Sequence, residues 1–147
     1  MRYYFSKPKA YAKIGGQTVS GTVKFYQLPG GVLVEADITG LPENRSGFYG
    51  FHIHAGEACK GSGFAATGSH YDPANRPHPQ HAGDLPPLLA RRGRAYLAVV
   101  TDRFSLADVV GRTVVIHGQA DDFYSQPAGN AGDKIACGVI HWRQSGR

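Results

Sequence analysis

A chain of 147 residues is of single-domain length, read as one domain over 1–147, and it can bury a core without needing a metal merely to fold. Its formal net charge of +5 favours anionic partners, but the basic residues are scattered, with Arg91, Arg92 and Arg94 as the tight cluster, and no nucleic-acid-binding motif appears, so nucleic acid is not an expected partner. The chain has no apolar run long enough for a transmembrane helix, and membrane insertion is not expected.

The opening stretch MRYYFSKPKAYAKIGG lacks the apolar centre of a signal peptide. Two compartments are consistent with that: the cytoplasm, or a secreted or periplasmic location for a mature form carrying a starting Met. Twenty glycines and nine prolines point to short elements joined by many turns. Residues 10–14 read as a first strand. Val19, Gly21, Val23 and Phe25 then alternate with Ser20, Thr22 and Lys24, the pattern of a half-buried strand. Leu28-Pro29-Gly30-Gly31 reads as a hairpin turn. Beyond it Val32, Val34, Ala36 and Ile38 alternate with Leu33, Glu35, Asp37 and Thr39. Further strands are predicted over 48–54, 95–101, 113–117 and 136–142, with a short helical turn within 102–110. Seven or eight short strands and no long amphipathic helix imply a sandwich or barrel. Two stretches break this rhythm, 55–93 and 118–134, and long loops in a compact β domain are commonly functional.

Seven histidines occur, and six of them fall between positions 52 and 117. Residues two apart on a strand share a face, so His52 and His54 project together while Tyr49, Phe51 and Ile53 turn to the core. His117 likewise takes the parity opposite to the buried Val114 and Ile116. Three strand histidines are thus expected outside the core, free to converge on one ion. In the long loop His70, His78, His81 and Asp84 supply three imidazoles and a carboxylate, a reasonable tetrahedral zinc shell. Prolines 73, 77, 79, 86 and 87 stiffen that loop and reduce the entropy lost on metal binding. His141, on the last strand, reads as a packing or surface residue. Cys59 and Cys137 can form one disulfide or remain two thiols; their number alone does not decide.

Five segments, GFHIH at 50–54, GSHYDP at 68–73, HAGDLPPL at 81–88, VTDRFSLADVVGRTVVIHGQADD at 100–122 and GNAGDKIACGVI at 129–140, resemble the copper–zinc superoxide dismutase family, in order and over nearly the whole chain. The resemblance implies an all-β Greek-key sandwich, or flattened barrel, of about eight antiparallel strands with two long functional loops. It implies an enzyme that disproportionates superoxide to dioxygen and hydrogen peroxide, with copper and zinc as cofactors. Copper would be held by His52, His54, His70 and His117, and zinc by His70, His78, His81 and Asp84, with His70 bridging the two. Asp121 would hydrogen-bond one histidine from each side, and Cys59 and Cys137 would form the intrasubunit disulfide. Catalytic roles fall to His70, as the bridge, and to Lys134, which stands where the family has an arginine. Lysine keeps the charge there but loses the rigid bidentate fork. The family includes dimers and monomers, so a homodimer is one of the two states implied.

One further departure concerns the zinc loop. Only Pro79 and Gln80 separate His78 from His81, fewer residues than the family usually places there. Two other functions compete: a copper-only enzyme whose shortened loop binds no zinc, and a metal-storing or copper-delivering relative that kept the fold without the activity.

Overall fold

The computed structural model describes residues 7–144. Nine strands carry them: β1 (Ala10–Gly16), β2 (Ser20–Leu28), β3 (Gly31–Thr39), β4 (Phe48–Tyr49), β5 (Phe51–His54), β6 (Leu88–Arg91), β7 (Arg94–Thr101), β8 (Thr113–His117) and β9 (Lys134–Trp142). All strand pairings are antiparallel, in the order β4-β6-β7-β3-β2-β1-β9-β8-β5. The two ends of this order, β4 and β5, are consecutive in the chain and are separated by Gly50 alone. One chain segment therefore joins both ends of the sheet and brings it close to a closed barrel, which leaves little unpaired edge. The links from β3 to β4 and from β7 to β8 skip over neighbours, as in a Greek key.

The alternation in the sequence accounts for the core. Val23 and Phe25 of β2 and Val32, Val34, Ala36 and Ile38 of β3 are buried, and their alternate neighbours are largely more exposed. Tyr49, Phe51 and Ile53 join Leu88, Ile116 and Ile140 in the same cluster. Each such side chain, fully buried, contributes roughly 1.5–3 kcal/mol. The helical turn predicted within 102–110 is α1 (Leu106–Val109); Asp108 Oδ2 accepts the Ser105 backbone N–H at 3.1 Å, and Leu106 and Val109 enter the core.

The described residues form nine strands, in keeping with the expected number of about eight; the predicted strand 48–54 divides at Gly50, and the end of the long 55–93 stretch forms β6. The histidine face of β5 and β8 stands outside the apolar core cluster. Both strands are buried on both faces, since the two long loops fold over the side turned away from the core.

Candidate metal centre

The first loop builds the site by adding itself to the free edge of β5. Ile53 N donates to Gly83 O at 2.9 Å, Tyr71 N to Ile53 O at 2.8 Å and Ala55 N to Ser69 O at 2.8 Å. These bonds create isolated bridges that set Asp84 beside His52 and His70 beside His54. Gly83 is required for this approach, since a Cβ there would collide with the Ile53 carbonyl. The second loop closes over the other side, where Gln119 N donates to Ala131 O at 2.8 Å and Gly118 N to Asp133 O at 2.8 Å.

Two sets of side chains converge. One ligand atom from each of His52, His54, His70 and His117 lies within 4.8 Å of the others, and the same holds for His70, His78, His81 and Asp84. His70 belongs to both. All six histidines are buried, from 0% exposed at His52 to 7% at His81. The outward ring nitrogens are hydrogen-bonded: His52 Nε2 and His78 Nε2 each lie 2.8 Å from the Asp121 carboxylate, His54 Nδ1 lies 2.8 Å from Gly68 O, and His117 Nδ1 lies 3.1 Å from Gly132 O.

Burial pushes the pKa of His54 down to about 2 against the opposing hydrogen bond to Gly68 O, with smaller reductions from His70 and His117. Burial and then His52 push His117 down to about 3, and Lys134 acts in the same direction. His52 is lowered chiefly by burial as well. Burial by itself would raise Asp84 and Asp121, but the hydrogen bonds they accept together with the electrostatic influence of the surrounding histidines more than reverse it, and both stay below the usual carboxylate range. At neutral pH these are neutral imidazoles beside ionised carboxylates, the protonation states in which such groups bind metals.

A neutral imidazole carries one N–H. With that proton directed at Gly68 O or Gly132 O, the Nε2 atoms of His54 and His117 face each other 3.2 Å apart as bare lone pairs. On the other side, His78 spends its proton on Asp121, and its Nδ1 lies 3.1 Å from Asp84 Oδ2 without a hydrogen bond. His52 Nδ1 and His70 Nε2 are likewise buried without a partner. Converging lone pairs in a buried space repel one another, and cations between them remove the repulsion. The donor chemistry fits: four imidazoles suit copper, and three imidazoles with a carboxylate suit zinc.

The structure thus brings together every metal-site residue picked out in the sequence, and it places Asp121 between His52 and His78. Cys59 and Cys137 are disulfide-bonded. His141 lies away from the cluster, exposed on β9 beside Tyr11. The sequence reading missed the carbonyls of Gly68 and Gly132, which carry no side-chain signal. It also missed Arg112, whose guanidinium donates to Ala55 O at 2.8 Å and lies 4.4 Å from the Tyr71 ring centroid.

A family model described as copper/zinc superoxide dismutase matches residues 19–140. The chain belongs to the copper/zinc superoxide dismutase family. It is 41% identical over 128 residues to "Superoxide dismutase [Cu-Zn]" of Legionella pneumophila, covering 82% of this chain and 76% of that one. It is 34% identical over 157 residues to the protein of the same name from Deinococcus radiodurans, covering 91% and 85%. Among solved structures, the clock protein EA4 superposes with a TM-score of 0.81 at 34% identity, covering 97% of this chain and 100% of that one. The activity of a superoxide dismutase, and hence an oxidoreductase, goes with this family and with its histidine cluster. In this dismutase Lys134 opens β9 at the edge of the histidines, and its Nζ donates to Thr67 Oγ1 at 2.8 Å and to Gly68 O at 2.9 Å. It lines an open cavity of about 890 Å³ together with His54, His70, His117, Arg76 and Arg112.

Proposed function

We propose that His52 (through Nδ1), His54, His70 and His117 (through Nε2) hold copper, and that His70, His78, His81 and Asp84 hold zinc. The observation that carries this assignment is the direction of the ring nitrogens. His52, His54, His78 and His117 each turn one nitrogen to a fixed acceptor, whereas His70, which belongs to both sets, has neither nitrogen so tied: Nδ1 lies 2.8 Å from Asp84 Oδ1 and Nε2 is buried without a partner. His70 is therefore the shared ligand.

Bound copper supplies a one-electron couple between two oxidation states; zinc organises the loop and holds His70. The chain's own residues do the rest. His54 and His70 border the open cavity, so a small anion entering there arrives at the copper set. Lys134, half-buried at the rim, supplies positive charge to draw superoxide in and is oriented for that by Thr67 and Gly68. His70 Nε2 can hold a proton whenever it is not a ligand and pass it to the departing peroxide. Two superoxide ions and two protons thus give one dioxygen and one hydrogen peroxide.

His117→Ala tests the assignment. His117 faces the metal set rather than the apolar cluster, so the variant should keep the parent fold by circular dichroism and thermal melting. Its superoxide-decay rate should fall by more than about 100-fold, beyond the ~10–100-fold that loss of an outer partner costs. A parent-like rate would remove His117 from the copper set.

A further inference from the structure

His78 and His81 stand on a tight turn with only Pro79 and Gln80 between them. Gln80 N closes the turn on Pro77 O at 2.8 Å, and Asn75 N bonds only as far as Asp72 O, at 3.4 Å. None of the strand pairings includes this stretch. The turn's own bonds secure the His81 end, where His81 N donates to Asp84 Oδ2 at 3.0 Å and Asp84 N to His81 O at 3.1 Å, but among the described residues no such bond within the turn holds the His78 backbone, and both imidazoles must be placed to within a fraction of an ångström.

Two exposed residues, distant in sequence, add to these bonds from outside the turn. Gln126, in the second loop, forms a reciprocal pair with the backbone of His78: His78 N donates to Gln126 Oε1 at 2.9 Å, and Gln126 Nε2 donates to His78 O at 2.8 Å. The same Nε2 also donates to Tyr124 O at 3.0 Å, which fixes the amide. From the connection between β7 and α1, Arg103 Nη1 donates to Pro79 O at 2.8 Å and to His81 O at 3.2 Å. One residue grips the first ligand and the other grips the second, so the turn is braced at both ends by the rest of the fold. Asp121 fixes the His78 imidazole; Gln126 fixes the backbone that carries it.

We propose that Gln126 and Arg103 are positioning residues for zinc, setting the zinc affinity of His78 and His81 without touching the metal. This rests on the zinc assignment above. Partners one layer beyond the ligands commonly govern metal affinity by ~10–100-fold. Both residues are at the surface, so replacing them leaves the apolar cluster intact.

The test is zinc affinity by chelator competition on the full chain, with copper affinity and the melting temperature of metal-free protein read alongside. Gln126→Leu and Arg103→Ala should each weaken zinc by ~10–100-fold, with copper affinity and the metal-free melting temperature at parent values. Arg103→Lys, which keeps a charged donor but loses the fork, should fall between Arg103→Ala and the parent. Parent-like zinc affinity in both Gln126→Leu and Arg103→Ala would overturn the inference. So would equal losses for both metals, which would mark a general loosening of the loops. A parent protein that takes up no zinc would instead overturn the zinc assignment, and the inference with it.

Discussion

Gly129 shows how a single residue can hold both metal sets at once. It sits at φ +71°, a region that favours glycine, and a Cβ there would lie 2.6 Å from His78 Nε2 and would also collide with the Asp121 carboxylate. Asp121 accepts from His52 of the set proposed for copper and from His78 of the set proposed for zinc. Gly129→Ala should therefore weaken both metals by ~10–100-fold, read by chelator competition. Parent affinity for both would show that the Asp121 contact does not govern either set. The inward aim of His52, His54 and His117 was legible from parity, because a period of two fixes which face a strand residue takes. Their depth was not. That depends on loop groups arriving from elsewhere in the chain, as when Gly132 O meets His117 from 15 residues away and Gln126 meets His78 from 48. Such contacts have no period and leave no mark in the residues they join.

At the scale of elements, the disulfide adds a covalent tie between the first loop and the sheet. Cys59 lies ahead of the 3₁₀ segment Ser62–Thr67, and Cys137 lies in β9, 78 positions away. Closing a loop of that length contributes roughly 4.5 kcal/mol in the chain-entropy model, less any strain. The segment it anchors ends in Thr67 and Gly68, the acceptors for Lys134 and His54. Cys59→Ser/Cys137→Ser should therefore lose several kcal/mol in chemical denaturation of the metal-free protein. It should also lose activity at a temperature where it remains folded. An unchanged denaturation midpoint with parent activity would show that the loop holds its place without the bridge. The strands with clean alternation, β2 and β3, were legible in the sequence. β6 was not, because Leu88–Arg91 is only four residues long and emerges from a proline-rich stretch.

For the whole molecule, antiparallel pairing sets β5 beside β8 at one end of the sheet, Gly50 ties that end to β4 at the other, and the two loops cover the histidine face of β5 and β8. The result is a buried two-set centre that opens on one side to a cavity rimmed by Lys134, Arg112 and Arg76 in a chain of net charge +5. Superoxide dismutases are a standard case of electrostatic steering, which raises association rates by about 10- to 1,000-fold and weakens with salt. The decay rate of superoxide should accordingly fall as ionic strength rises past ~0.1 M, where screening acts over about 10 Å. Lys134→Glu should slow the reaction strongly. Lys134→Ala should slow it less and flatten the salt dependence, and Lys134→Arg should match or exceed the parent. A glutamate variant with the parent rate and salt dependence, both metals still bound, would leave Lys134 no part in guiding the anion. The resemblance carried the composition of the centre, but the openness of its mouth is a property of the packed loops and was not legible in the sequence.

The most direct measurement is the metal content of the full chain after loading with both metals under oxidising conditions and removal of loosely bound ions. Two four-ligand sets sharing His70 should retain one copper and one zinc per chain. Zinc without copper, or copper without zinc, would contradict a shared two-metal centre.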